Sequence, residues 1–136
     1  MKPYLVLVLI VGCLLTACSA AKTQSLEAFY TEDGIENVDK VVILDGSTGY
    51  TKTLTDIEQI NEFLALIKDI EFSPQDNQEK RDGFLYSITL YDGEVQFNFS
   101  LSQIDDAYYD TEPDIYPIVD GYYKRLEMEE KGSSEV

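Results

Sequence analysis

Phe84-Leu85-Tyr86-Ser87-Ile88-Thr89-Leu90-Tyr91-Asp92-Gly93-Glu94-Val95-Gln96-Phe97-Asn98-Phe99-Ser100-Leu101 is the stretch that decides the fold. Before Asp92-Gly93, Phe84, Tyr86, Ile88 and Leu90 alternate with Leu85, Ser87, Thr89 and Tyr91; after it, Val95, Phe97, Phe99 and Leu101 alternate with Glu94, Gln96, Asn98 and Ser100. A period of two marks strands with one buried face. Asp-Gly is a signal for a two-residue type I′ hairpin turn. Such a turn pairs Tyr91 with Glu94, so Leu90 meets Val95, Ile88 meets Phe97, Tyr86 meets Phe99 and Phe84 meets Leu101. All four apolar pairs fall on one face, and a one-residue slip would mismatch every one. Ser87, Thr89, Gln96 and Asn98 leave the other face polar.

Upstream, Val41-Val42-Ile43-Leu44 is a short β-branched run followed by Asp45-Gly46. It reads as a strand over 38–44, with Tyr50 to Leu54 returning as its partner. Thr55-Asp56-Ile57-Glu58 has the form of a capping box, with Thr55 as N-cap and Glu58 at N3. Ile57, Ile60, Leu64 and Ile67 follow at spacings of three and four, an apolar helical stripe. Phe72 to Gly83 reads as a loop, containing Lys80-Arg81 as a solvated basic pair.

Downstream, Ile104-Asp105-Asp106-Ala107 reads as a turn and Tyr108 to Thr111 as a short edge strand. Ile115, Ile118, Val119, Tyr122 and Leu126 carry a last helix, expected to start at Pro117 because proline disfavours helical geometry in the preceding residue. The expected class is α+β: two layers, a mostly antiparallel sheet, element order ββαβββα, and two helices on one face. The expected divisions are a signal segment 1–17, a tether 18–37, a domain 38–128 and a disordered acidic tail 129–136. As a flexible coil, the 19 residues from Ser19 to Asn37 would span roughly 22–26 Å, although Leu26, Phe29 and Tyr30 could dock on the domain.

The first residues carry an address. Met1-Lys2-Pro3-Tyr4 is short and basic, Leu5 to Leu15 is apolar, and Leu15-Thr16-Ala17-Cys18 follows. A charged start, an apolar stretch and small residues at the cut define an export signal. Leu15-Thr16-Ala17-Cys18 resembles the lipobox of bacterial lipoproteins. The resemblance implies diacylglyceryl on the Cys18 sulfur, with Leu15 as the aliphatic position and Thr16 and Ala17 as the small ones. It also implies cleavage by signal peptidase II before Cys18 and an extracytoplasmic, lipid-anchored domain. Two acyl chains anchor stably where one does not. Cys13 would leave with the signal and Cys18 would be capped, so the mature domain would have neither a free thiol nor a disulfide. Two alternatives stay open: an uncleaved membrane anchor over Tyr4 to Ala21, which is barely long enough, and an ordinary cleavage site at Ser19-Ala20-Ala21. From 38 to about 128, the Val41–Leu44 strand, the Thr55-Asp56 helix start and the Phe84–Leu90 strand closed by Asp92-Gly93 are similar to small uncharacterised extracytoplasmic lipoproteins of Gram-positive-type bacteria. That resemblance supplies no activity.

Charge and composition narrow the function. The 136 residues hold 26 Asp and Glu against 10 Lys and Arg, a net charge of −16 at pH 7. Removing 1–17 takes only Lys2 from the charged set. Such a surface repels phosphate backbones and anionic head groups, so no nucleic-acid partner is expected, and membrane attachment falls to the lipid on Cys18. With no histidine, the commonest general base and metal ligand is missing. No G-x-S-x-G, P-loop or G-x-G-x-x-G occurs. The expectation is a protein- or ligand-binding module without a cofactor rather than an enzyme. The alternatives are a carboxylate-pair hydrolase and a divalent-cation-binding protein of the cell envelope.

Two groups of residues are candidates for a site. Asp105, Asp106, Asp110, Glu112 and Asp114 crowd a segment expected to turn, and calcium takes several oxygen ligands from loops. Their spacing is not that of an EF-hand, and a solvated turn explains them as well. Tyr108, Tyr109 and Tyr123 are not accounted for by one core stripe, and tyrosine suits binding surfaces because its body is apolar and its tip polar. On an edge strand beside an acidic run, they would suit a protein partner with a basic, apolar segment. The competing reading is that they rim a small core.

Overall fold

The computed structural model describes residues 22–134, so the expected signal segment 1–17 and Cys18 lie outside the described residues. Its chain order is β1 (Gln24–Ser25), α1 (Leu26–Glu32), β2 (Lys40–Asp45), β3 (Thr51–Leu54), α2 (Ile57–Ile67), β4 (Glu71–Pro74), β5 (Tyr86–Asp92), β6 (Val95–Ser100), β7 (Gln103–Ile104), β8 (Ala107–Glu112) and α3 (Ile115–Ser134). One eight-stranded sheet runs β1-β4-β8-β7-β6-β5-β2-β3, with antiparallel pairing throughout the described residues. The fold is α+β, as its patterning requires.

The central hairpin keeps the expected faces but shifts its register by two. Leu90 pairs with Phe97, Ile88 with Phe99 and Asp92 with Val95. The turn is therefore Gly93-Glu94, one step beyond Asp92-Gly93. Gly93 has φ 59° and Glu94 is not in the left-handed region. A type I′ turn needs positive φ at both central residues, whereas type II′ needs it only at the first, where glycine fits. Asp92, freed from the turn, accepts the backbone N–H groups of Glu36 and Asn37 at 2.8 and 2.9 Å. A two-residue shift returns every side chain to its own face, so alternation cannot detect it. Phe84 falls outside β5 and is exposed, rather than pairing with Leu101.

Beneath this hairpin lies one continuous core. Val41, Ile43, Ile88, Leu90, Phe97 and Phe99 supply its sheet side; Leu26 and Tyr30 of α1, Ile60, Phe63 and Ile67 of α2, and Val119, Tyr122, Tyr123 and Leu126 of α3 cover it. Three helices, not two, share that face. On the open face, the Asn98 amide donates to Ser87 Oγ and Thr89 Oγ1, both at 2.9 Å. These bonds join Ser87, Thr89 and Asn98 of the polar row expected there.

Helix starts follow side-chain caps. In α2 the N-cap is Asp56, not Thr55: its carboxylate accepts from Glu58 N and Gln59 N at 2.9 and 3.3 Å. α3 begins at Ile115, two residues before Pro117, because Thr111 Oγ1 takes the Ile115 N–H and Asp114 Oδ1 takes that of Tyr116. Pro117 then sits in the first turn, where a missing N–H breaks no helical bond. α3 extends to Ser134 and so includes much of the tail expected to be disordered.

The expected tether is the largest departure. Residues 24–37 belong to the domain: β1 pairs with β4, and Leu26, Tyr30 and Ile35 are buried. Ser25 Oγ caps α1 through Ala28 N at 3.2 Å. Leu26 N and Glu27 N donate to Ile70 O and Lys68 O, both at 3.0 Å. β4 itself lies where a loop was expected, and its pairing with β8 makes β8 an inner strand.

Candidate functional site

That inner position overturns the tyrosine surface. Tyr108 and Tyr109 are each 5% exposed and Tyr123 is 2% exposed. Tyr108 and Tyr109 point to opposite faces of β8, as alternation requires, yet both faces are covered. Tyr109 enters the core between Phe29 and Phe72, with ring centroids 5.4 and 6.0 Å away. Tyr108 faces away from the helices and is roofed by the 75–82 loop. Its hydroxyl accepts the Arg81 N–H at 2.8 Å, its own N–H donates to Gln78 Oε1 at 2.8 Å, and the Arg81 guanidinium lies 4.5 Å over its ring. Arg81 is thus a clamp rather than a solvated charge, since it also donates to Gln75 Oε1 at 2.7 Å. Tyr123 packs against Tyr86 at 5.3 Å.

Nor do the five carboxylates converge. Asp105 and Asp106 make the β7–β8 turn, with Asp105 at φ 55°. Asp110 and Glu112 follow along β8, and Asp114 is occupied at the start of α3. Among the described residues, no group of three or more His, Cys, Asp or Glu is placed to hold a metal ion. The physical reason is strand geometry: an extended segment spreads successive carboxylates along its length, whereas a calcium loop must curl them inward.

The surface with the form of a site lies elsewhere. Between α1, α2 and the chain at 35–38 runs an open groove of about 490 Å³, within the range of ligand-binding clefts. Its floor is apolar: Tyr30, Ile35 and Val38 are buried, and Leu64 is half-buried. Ile57, in the first turn of α2, stands at its rim and is 59% exposed. Glu27 on α1 and Glu36 on the connecting chain bring carboxylates to the walls, and Lys68 is the cation among the lining residues.

Local chemistry fixes the walls. α1 ends as Gly34 N and Ile35 N return to Thr31 O and Tyr30 O, both at 3.0 Å; Gly34 takes φ 96°, a conformation that favours glycine. Asp92 then clamps the Glu36 and Asn37 amides, and these bonds hold its carboxyl below the usual aspartate value. Gly93 N donates in turn to Asp39 Oδ2 at 2.9 Å. The hairpin turn therefore braces the groove wall. Under the groove, burial and then the Glu27 carboxylate push the Tyr30 hydroxyl up to about 12, with Asp69 adding to the shift.

Sequence reasoning missed Ile35, Val38 and Ile57 as groove residues and noted Tyr30 only as a residue that could dock. The signal was present but short: Ser25 as a cap, then Leu26, Phe29 and Tyr30 at helical spacing. Seven residues are too few for periodicity to outweigh polar neighbours. No helix among the described residues is long and apolar enough to cross a membrane. Compared with protein families, characterised proteins and solved structures, the chain matches none.

Proposed function

We propose that this chain is a bacterial lipoprotein whose extracytoplasmic domain is a binding module, held to the membrane by lipid on Cys18 and engaging its partner through the α1–α2 groove. The observation that carries the module reading is the groove itself: an apolar floor, an exposed isoleucine at the rim, and a wall whose Glu36 and Asn37 N–H groups donate to the Asp92 carboxylate. A pre-formed cleft that combines an apolar floor with polar and charged groups around it has the form of a binding site. The anchor reading rests on Leu15-Thr16-Ala17-Cys18 after a basic, then apolar start. Such a protein works by holding a partner near the bilayer and needs no reaction of its own.

The test is processing in the native host. The mature chain should begin at Cys18 and carry diacylglyceryl mass, and Cys18→Ala should leave a precursor or a chain that no longer stays with the membrane. A mature chain starting at Ala20 or Ala21, without lipid, would end the anchored reading.

A further inference from the structure

We infer that the α1–α2 groove receives a short apolar and cationic peptide segment of a partner protein, a deepening that rests on the binding-module reading above. The floor of Tyr30, Ile35 and Val38 with Ile57 at the rim calls for apolar side chains. Burying an apolar side chain there removes surface that water now covers. The walls call for positive charge. Glu27 and Glu36 face the cleft from two different elements, against Lys68 alone. The surrounding chain carries a net charge of −16. Complementary charge steers encounter and excludes anionic competitors. The cleft is open to solvent and lies between two helices, α1 and α2. That is the geometry of peptide recognition along a helix-lined groove.

The experiment uses the lipidated protein in nanodiscs of zwitterionic lipid. The probe is a fluorescein-labelled peptide of alternating lysine and leucine, with a glutamate-leucine peptide as its counterpart. Anisotropy is read against discs carrying variants, which subtracts any peptide partitioned into lipid. Ile57→Asp is the decisive variant. It adds a negative charge that would strengthen purely Coulombic binding of a cation, while it removes an apolar contact. Because Ile57 is exposed, the fold should tolerate it. The groove requires roughly tenfold weaker binding for Ile57→Asp and about two- to fivefold weaker binding for Glu36→Gln. Affinity for the cationic peptide should also fall with salt. Equal binding of both peptides, or unchanged or stronger binding by Ile57→Asp, overturns the assignment. If the peptide fails while cross-links in the native membrane map a partner to the groove, this inference falls and the binding-module reading stands; cross-links only to residues outside the groove end both. Absence of lipid on Cys18 would end only the anchored reading and leave the peptide result intact.

Discussion

Phe97 lies mid-strand on the core face, 3% exposed. Its ring packs 5.7 Å from Phe99 and 6.3 Å from Tyr30. Through Tyr30 it supports the groove floor, so one residue links hairpin, core and site. Phe97→Ala leaves a cavity that close-packed neighbours fill only in part, and should cost about 3–5 kcal/mol. Thr89 points to the open face, where it accepts the Asn98 amide, and Asn98 keeps Ser87 Oγ as a second acceptor. Thr89→Ala should therefore cost under about 1 kcal/mol. Denaturant unfolding of both variants decides. Equal shifts in midpoint would mean that the two residues do not lie on opposite faces. The faces were legible in the sequence because they depend only on the parity of position. The partner of each residue was not, because it depends on where the turn closes, and Asp92 is drawn out of the turn by amides some 55 residues away in the chain.

At the scale of elements, long alternating or periodic segments declared themselves, and short ones did not. β2, β5, β6 and the body of α2 and α3 stand where pattern placed them, because each buries more than one side chain at one period, and β3 stands there as the return strand of β2 although it buries only Leu54. β1 and β4 have two and four residues, and α1 has only seven, fewer than two helical turns. Their structure comes from long-range pairing, β1 on β4 and β4 on β8, which no local window contains. The groove shares that fate: one wall is α1, so it could not be read before α1 was known. Helix starts were legible to within a residue or two. Thr55 and Asp56 are both good caps by type, and geometry chose Asp56, whose carboxylate reaches two amides. Asp56→Ala should lower stability by about 1 kcal/mol, and Thr55→Ala should change it little. Thermal melts of the two variants separate the assignments, and the reverse order would return the cap to Thr55.

At the scale of the whole molecule, stability should be limited at alkaline pH by tyrosines. Burial raises the hydroxyls of Tyr30, Tyr86, Tyr109 and Tyr122 above their ordinary value of 10.0. At Tyr86 the bond to Asp120 Oδ1, 2.7 Å long, adds to the rise. The Tyr30 hydroxyl is pushed up to about 12. In the unfolded chain each hydroxyl ionises near its ordinary value. The folded state thus keeps protons that the unfolded state loses, and stability falls as pH rises wherever the unfolded state binds fewer. For Tyr30 the contribution is complete below about 10 and is lost between there and about 12, when its folded hydroxyl ionises too. General repulsion among carboxylates also grows in alkali as lysines lose charge, so a falling melting temperature alone would not isolate the tyrosines. Tyr30→Phe does isolate one of them, because it keeps the ring in the core and removes one titrating group. It should flatten the loss of stability above pH 10 by at most about 1.4 kcal/mol per pH unit, the value of one proton. Near neutral pH, where the hydroxyl is protonated in both states, no such pH-dependent difference should appear. Melting curves of the two proteins across this range, paired with tyrosinate absorbance, make the comparison. Parallel curves would show that Tyr30 ionises alike folded and unfolded, and that the floor of the groove is wet rather than buried.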